Sequence, residues 1–176
     1  EPWIAAVMYA DSAFDPNAIG ASGRGVITIS ASDWQATYGA PVTADRDHDG
    51  IPDINDPQIA ASVVATVLCH QYDAIDADRT ARPDSASTQH LTDLEALSLV
   101  HRAGLAELAI YPRISADGRA YLVDVAAHAT TWTASTLTTA TGAGAPSPSA
   151  AVDPSCVASL GSVGSVVVPP GTPADV

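Results

Sequence analysis

Residues 45–56 read DRDHDGIPDIND, with Asp45, Asp47, Asp49, Asp53 and Asp56 gathered around a single glycine, Gly50. Carboxylates crowded this closely repel one another, so the segment needs either full solvation or a counter-charge. The spacing matches a calcium loop. Asp45, Asp47 and Asp49 fall on positions 1, 3 and 5, and Gly50 on position 6, where the chain must turn sharply. Ile51 then offers its backbone carbonyl at position 7, with Asp53 at position 9 and Asp56 at position 12. A hard divalent cation takes about six to eight oxygens. The expectation is a structural Ca2+ whose binding is linked to loop order, against the plainer alternative of a solvated acidic turn. At position 12 a bidentate Glu is usual; the shorter Asp56 implies a weaker or partly hydrated site. Only the C-terminal flank has a clear helical pattern, which argues against a calcium sensor.

That flank begins DPQIAASVVATVLCHQYDAI, in which Asp56 suits an N-cap and Pro57 the first helical position. Ile59, Val63 and Val67 recur every four residues and form a core-facing stripe. A short buried helix is expected in PWIAAVMYADSAF, where Ile4, Val7 and Met8 share a side. A second is expected in SASDWQATYG, with Ser30 or Ser32 as the cap and Gly39 as the stop. Residues 76–90 are polar, include Pro83, and are read as a loop. TDLEALSLVHRAG opens with a capping box, Thr92 to Glu95, and closes at Gly104. A last helix is expected over DGRAYLVDVAAHATTW. GVITIS alternates and fits either a strand or a buried loop. The expected fold class is mainly α. Residues 1–133 would form one helical domain. Residues 134–176, rich in Thr, Ser, Gly and Pro, would form an irregular linker or tail.

Charge narrows the partners. The net charge is −13, and all seven basic residues are arginine. Without a basic stripe to replace counterions, nucleic acid and anionic lipid are poor partners. No apolar run approaches the roughly 18 residues of a membrane span. Cys69 and Cys156 form no CxxC pair and have no histidine at zinc spacing. One long-range disulfide and two free thiols both remain open. His70, His90, His101 and His128 are not at metal spacing, and Ser22 in GASGRG lacks the frame of a nucleophile elbow. Trp3, Trp34 and Trp132 are expected in the core.

Taken in order, DSAFDPNAIGASGRG, GVITISASDW, ATYG, the acidic loop, VHRAG and GRAYLVDV resemble the motifs of a lytic transglycosylase domain of the lysozyme-like superfamily. The resemblance covers about residues 3–130 and is carried by Phe14-Asp15-Pro16-Asn17-Ala18, Trp34, Tyr38-Gly39 and Gly104. It implies a lysozyme-like helical fold acting on peptidoglycan glycan strands at the cell wall, extracellular or virion-associated. In actinobacterial and phage-like cell-wall hydrolases such domains often precede a peptidase domain, so further domains or subunits are implied as partners.

Within that family one glutamate is the general acid, and its position here is Asp11. Aspartate is one methylene shorter, and a misplacement of about 1 Å costs on the order of 100-fold. The family's cleft glutamine falls on Thr28 and its Tyr-Asn pair on His101-Arg102. The closing-helix tyrosine is Tyr121. An arginine beside the acid would favour its ionised form, the opposite of what a general acid needs. Asp11 and His101 offer a different acid–base pair. The implied function is therefore a glycan-directed domain weak or inactive in cleavage, a pseudoenzyme acting by binding. The alternatives are a working transglycosylase that cleaves the MurNAc–GlcNAc bond with Asp11, and a structural component of a phage tail or secretion apparatus.

Overall fold

Thr92 and Glu95 close the capping box that starts helix α5 (Asp93–Ala103): the Glu95 N–H donates to Thr92 Oγ1 at 3.3 Å, and the Thr92 N–H donates to Glu95 Oε2 at 2.8 Å. Beyond the cap, Leu94, Ala96, Leu97, Ser98, Leu99, Val100 and His101 are all buried. A helix buried on every face belongs at the centre of its fold, and α5 packs on three others. These are α3 (Pro57–Ala81), α6 (Leu105–Ile110) and α7 (Ala116–Thr131). Helix α1 (Pro2–Ser12) lies on α7, and α2 (Ala31–Tyr38) lies on α3. A short α4 (Ala86–His90) links α3 to α5. The computed structural model describes residues 2–20 and 23–131. The fold is mainly helical, with no strand among the described residues.

The caps read from the sequence are present. Asp56 accepts from the backbone N–H of Gln58 and Ile59, with Pro57 opening α3. Of the two serines that suit the α2 cap, Ser30 takes the position, and Gly39 ends that helix in the left-handed region at φ 74°. Val63 and Val67 are buried and Ile59 is packed against the core, while Val7 is buried with Ile4 and Met8 partly so. Trp3 and Trp34 are both in the core, and the Trp3 indole N–H donates to Ser98 Oγ at 3.0 Å, tying α1 to α5. Trp132 and residues 134–176 lie outside the described residues.

The structure departs from the sequence reading or adds to it at three places. Residues 76–90 are not one loop: α3 continues to Ala81, and residues 86–90 form α4. Asp78 and Arg82 pair across one turn, and Arg79 pairs with Asp93 while donating to the Leu91 carbonyl at 2.8 Å. Charge pairing between elements thus holds a polar stretch helical, where composition alone predicts a loop. Ser85 caps α4. The second is α6, which follows Gly104 and seats Leu108 in the core. Too few apolar positions mark so short a helix in the sequence. The third is that the last helix starts one residue earlier, at Ala116, and extends through Thr131.

Of the two readings of GVITIS, the buried loop is the one found. Ile27, Thr28 and Ile29 are consecutively buried, so this is not a two-faced strand. Arg24 forms isolated bridges to Ile19 and Ile29. A Cβ on Gly23 would lie 1.8 Å from the Ile29 carbonyl oxygen, so only glycine fits there. Cys69 is buried and disulfide-bonded, and Cys156 lies outside the described residues.

The central position of α5 has a measurable consequence. Leu97→Ala should lower unfolding free energy by about 2–5 kcal/mol in urea titration. Val123→Ala, on the exposed side of α7, should change it by no more than about 0.5 kcal/mol.

Candidate functional site

Asp11 sits in the last turn of α1, where it meets the Thr28 loop, α5 and α7. Its backbone is partly exposed but its side chain has no exposure at all. Tyr121 Oη donates to Asp11 Oδ1 at 2.8 Å. The Thr28 backbone N–H donates to Oδ2 at 2.9 Å, and His101 Nε2 lies 3.0 Å from the same oxygen. Three residues, the farthest 110 positions away in the chain, thus close on one carboxylate. A buried charge is tolerated only when its oxygens are taken up by donors, and these three provide that. Burial, followed by the Asp11 charge and hydrogen bond, pushes the Tyr121 hydroxyl far above its ordinary value of 10.0, so it remains a donor.

In front of this cluster lies a cleft of about 250 Å³. Thr28, Ser30, Asp33, Gln71, His101 and Arg102 are among its lining residues; Asp11 is not. The imidazole of His101 stands between the carboxylate and the cleft. Its other nitrogen, Nδ1, is buried and has no hydrogen-bond partner among the described residues. Thr28 Oγ1 and Gln71 Oε1 are in the same condition.

Arg102 interacts with Asp11 through charge, but hydrogen-bonds to Asp117. Its guanidinium turns to Asp117, with Nε to Oδ2 at 2.8 Å and Nη2 to Oδ1 at 3.0 Å, and it lies 5.4 Å from the centroid of the Tyr121 ring. That pairing raises the arginine and lowers the carboxyl of Asp117, chiefly through the hydrogen bonds. The residue that presses on Asp11 is the neighbouring histidine.

The acidic loop divides its carboxylates. Asp45, Asp47 and Asp49 bring oxygens within 4.8 Å of one another, a geometry able to hold a metal ion. The loop shapes itself by its own amides: Gly50 N–H donates to Asp45 Oδ2 at 3.0 Å, and Ile51 N–H to Asp49 Oδ1 at 2.7 Å. Gly50 takes φ 88° there. The Asp47 carboxyl is raised, by desolvation first and then by the charges of Asp49 and Asp45, against a lowering bond from the Asp49 backbone. Ile51 has its side chain in solvent. Asp53 turns inward and is fully buried, accepting from Tyr38 Oη at 2.8 Å and from the Arg46 N–H at 3.1 Å. Asp56 faces its own helix as the α3 cap. The structure therefore gathers three of the five loop carboxylates and gives the other two to protein donors.

No protein-family model, no curated protein and no solved structure matches the chain. Asp33, Gln71 and Asp117 were not singled out from sequence as residues of the site. Gln71 is one polar position among many on α3. Asp117, partner of Arg102, lies on another helix, and no local pattern links the two.

The neutral Tyr121 hydroxyl is the form the fold favours, so its stabilisation is complete below the ordinary tyrosine value and is lost as pH rises beyond it. Urea midpoints of the parent should therefore fall above about pH 10. Tyr121→Phe should flatten that alkaline decline while lowering neutral-pH stability by about 1–3 kcal/mol, because a buried Asp11 oxygen loses its donor.

Proposed function

We propose that the chain is a peptidoglycan-directed, lysozyme-like domain related to lytic transglycosylases, which holds glycan strands in its cleft and is impaired in cutting them. The observation that carries this is the convergence of Asp11, Thr28, His101 and Tyr121 in one hydrogen-bonded cluster. Each comes from a different one of the motifs on which the resemblance rests. The impairment follows from the same cluster. A general acid must reach the glycosidic oxygen within about 2.6–3.2 Å. Asp11 has no exposed side-chain surface, and both its oxygens are occupied by protein donors.

In this proposal the Asp45–Asp47–Asp49 loop carries calcium as a structural ion. Oxygen-only donors suit a hard cation, and neutralising three gathered carboxylates would order the loop that leads into α3. The cell wall, outside the membrane or on a virion, is where such a domain would work, alongside further domains or subunits of a wall-processing machine.

Purified cell walls test the glycan assignment. The parent protein should sediment with insoluble peptidoglycan yet leave the turbidity of a wall suspension essentially unchanged. Clearing by the parent and not by Asp11→Asn would establish a working enzyme instead. A protein that failed to sediment would fit a structural part of a larger assembly.

The ion is tested separately by thermal melting. Millimolar calcium should raise the midpoint relative to chelator, by about 2.7 kcal/mol of stabilisation at a hundredfold excess over Kd. Asp47→Asn should shrink that difference. Equal midpoints with calcium and with chelator would remove calcium from the proposal.

A further inference from the structure

Three residues that line the cleft each carry a buried polar atom with no partner among the described residues: Thr28 Oγ1, Gln71 Oε1 and His101 Nδ1. Thr28 and the His101 side chain are more than nine-tenths buried. Leaving such atoms unpaired costs stability, and three around one cleft are better explained by a ligand than by packing. Their chemistry states what the ligand must bring. Gln71 Oε1 accepts only. His101 Nε2 lies 3.0 Å from the Asp11 carboxylate; a neutral imidazole that donates there keeps its lone pair on Nδ1, and this tautomer is part of the inference. Thr28 Oγ1 can accept as well. Asp33, whose carboxylate accepts from Ser30 Oγ at 2.7 Å, adds negative charge to the lining, whereas the positive charge of Arg102 is matched by Asp117. The cleft is thus rich in acceptors and net negative.

We infer that this cleft is a subsite for a sugar carrying a free primary amine, its ammonium donating to Thr28, Gln71 and His101, so that the domain reads de-N-acetylated hexosamine in preference to the acetylated sugar. The inference rests on the glycan assignment above and specifies the sugar. An ammonium presents three donors and a positive charge; an acetamide presents one N–H and a carbonyl oxygen that would face acceptors. A volume of about 250 Å³ suits a single ring or its substituent and not a longer segment. Asp11 acts here as a positioning residue, fixing which imidazole nitrogen carries the proton, and does not touch the ligand.

Calorimetric titration of the full chain with β-1,4 tetrasaccharides of glucosamine, N-acetylglucosamine and glucose tests the inference, with butylamine as a sugar-free ammonium. The glucosamine oligomer should bind about tenfold or more tighter than the other three, the loss expected for one charge-assisted hydrogen bond. Thr28→Val and Gln71→Met should each weaken it by about tenfold while melting temperature holds or rises, since each removes an unpaired buried polar atom. Equal binding of the acetylated or glucose oligomer would overturn the amine, and equal binding of butylamine would overturn the sugar. Parent-like affinity in both variants, or lowered melting temperatures with unchanged affinity, would mark these atoms as structural and overturn the subsite. Wall sedimentation stays independent of this result: if the parent sediments but the variants bind as it does, only the subsite falls. If the parent does not sediment, the glycan assignment falls, whatever the oligomers do.

Discussion

The buried carboxylate of Asp11 is the constraint on which the arrangement of the other parts depends. It is the point where α1, the Thr28 loop, α5 and α7 are joined by polar bonds, each near 3 Å. Apolar packing around α5 supplies most of the stabilisation, because burial of area is non-directional and strong in sum. Such packing does not fix orientation to a fraction of an ångström. A charge that must find three donors does, since leaving any one out exposes a desolvated oxygen. The cluster therefore acts as a registry pin: Tyr121 sets the rotation of α7, and His101 sets that of α5.

A second use of carboxylates appears in the acidic loop, and the contrast is physical. Asp53 is buried, and hydrogen bonds from Tyr38 and the Arg46 backbone hold it. The Arg46 guanidinium in turn donates to the carbonyls of Tyr38 and Gly39, at the C-terminus of α2, where a cation is favoured. Asp56 caps α3, the matching use of an anion at a helix N-terminus. Between those two anchors the chain must reverse at Gly50, and the three remaining carboxylates are forced together on its outer side. The inner aspartates fasten the loop to two helix ends, and the outer three gain a site as a consequence.

This division explains which parts were legible in the sequence. Features settled within four residues could be read directly: the Asp56–Pro57 cap, the Thr92–Glu95 box and the Gly39 stop all rest on local hydrogen bonds. Features settled across the chain could not. Residues 76–81 look like a loop because Arg79 has no visible partner until Asp93 is brought beside it. Arg102 seems to threaten Asp11 until Asp117 draws it away. In the acidic loop the spacing placed all five aspartates on one centre, but only the first three gather; burial of Asp53 against Tyr38 is a tertiary fact that spacing does not encode. The cleft cluster was approached through the resemblance, which marked Asp11, Thr28, His101 and Tyr121 and passed over Gln71.

The consequence of aspartate at position 11 then follows from length. The short side chain of Asp11 keeps its carboxylate out of the cleft lining, and the imidazole of His101 takes the place beside the cleft. The group that faces the cleft is an imidazole nitrogen backed by a carboxylate, and not the carboxyl group itself. That order leaves His101 to meet whatever enters the cleft, while Asp11 acts on it through the imidazole. Length alone, added by Asp11→Glu, would not bring the carboxyl group into the cleft: it would have to displace His101 while Tyr121 and Thr28 still donated to the place of the Asp11 oxygens. Bringing a carboxyl group to the cleft is therefore a coupled change in at least two residues, because the bonds that hold Asp11 and the imidazole in front of it must give way together.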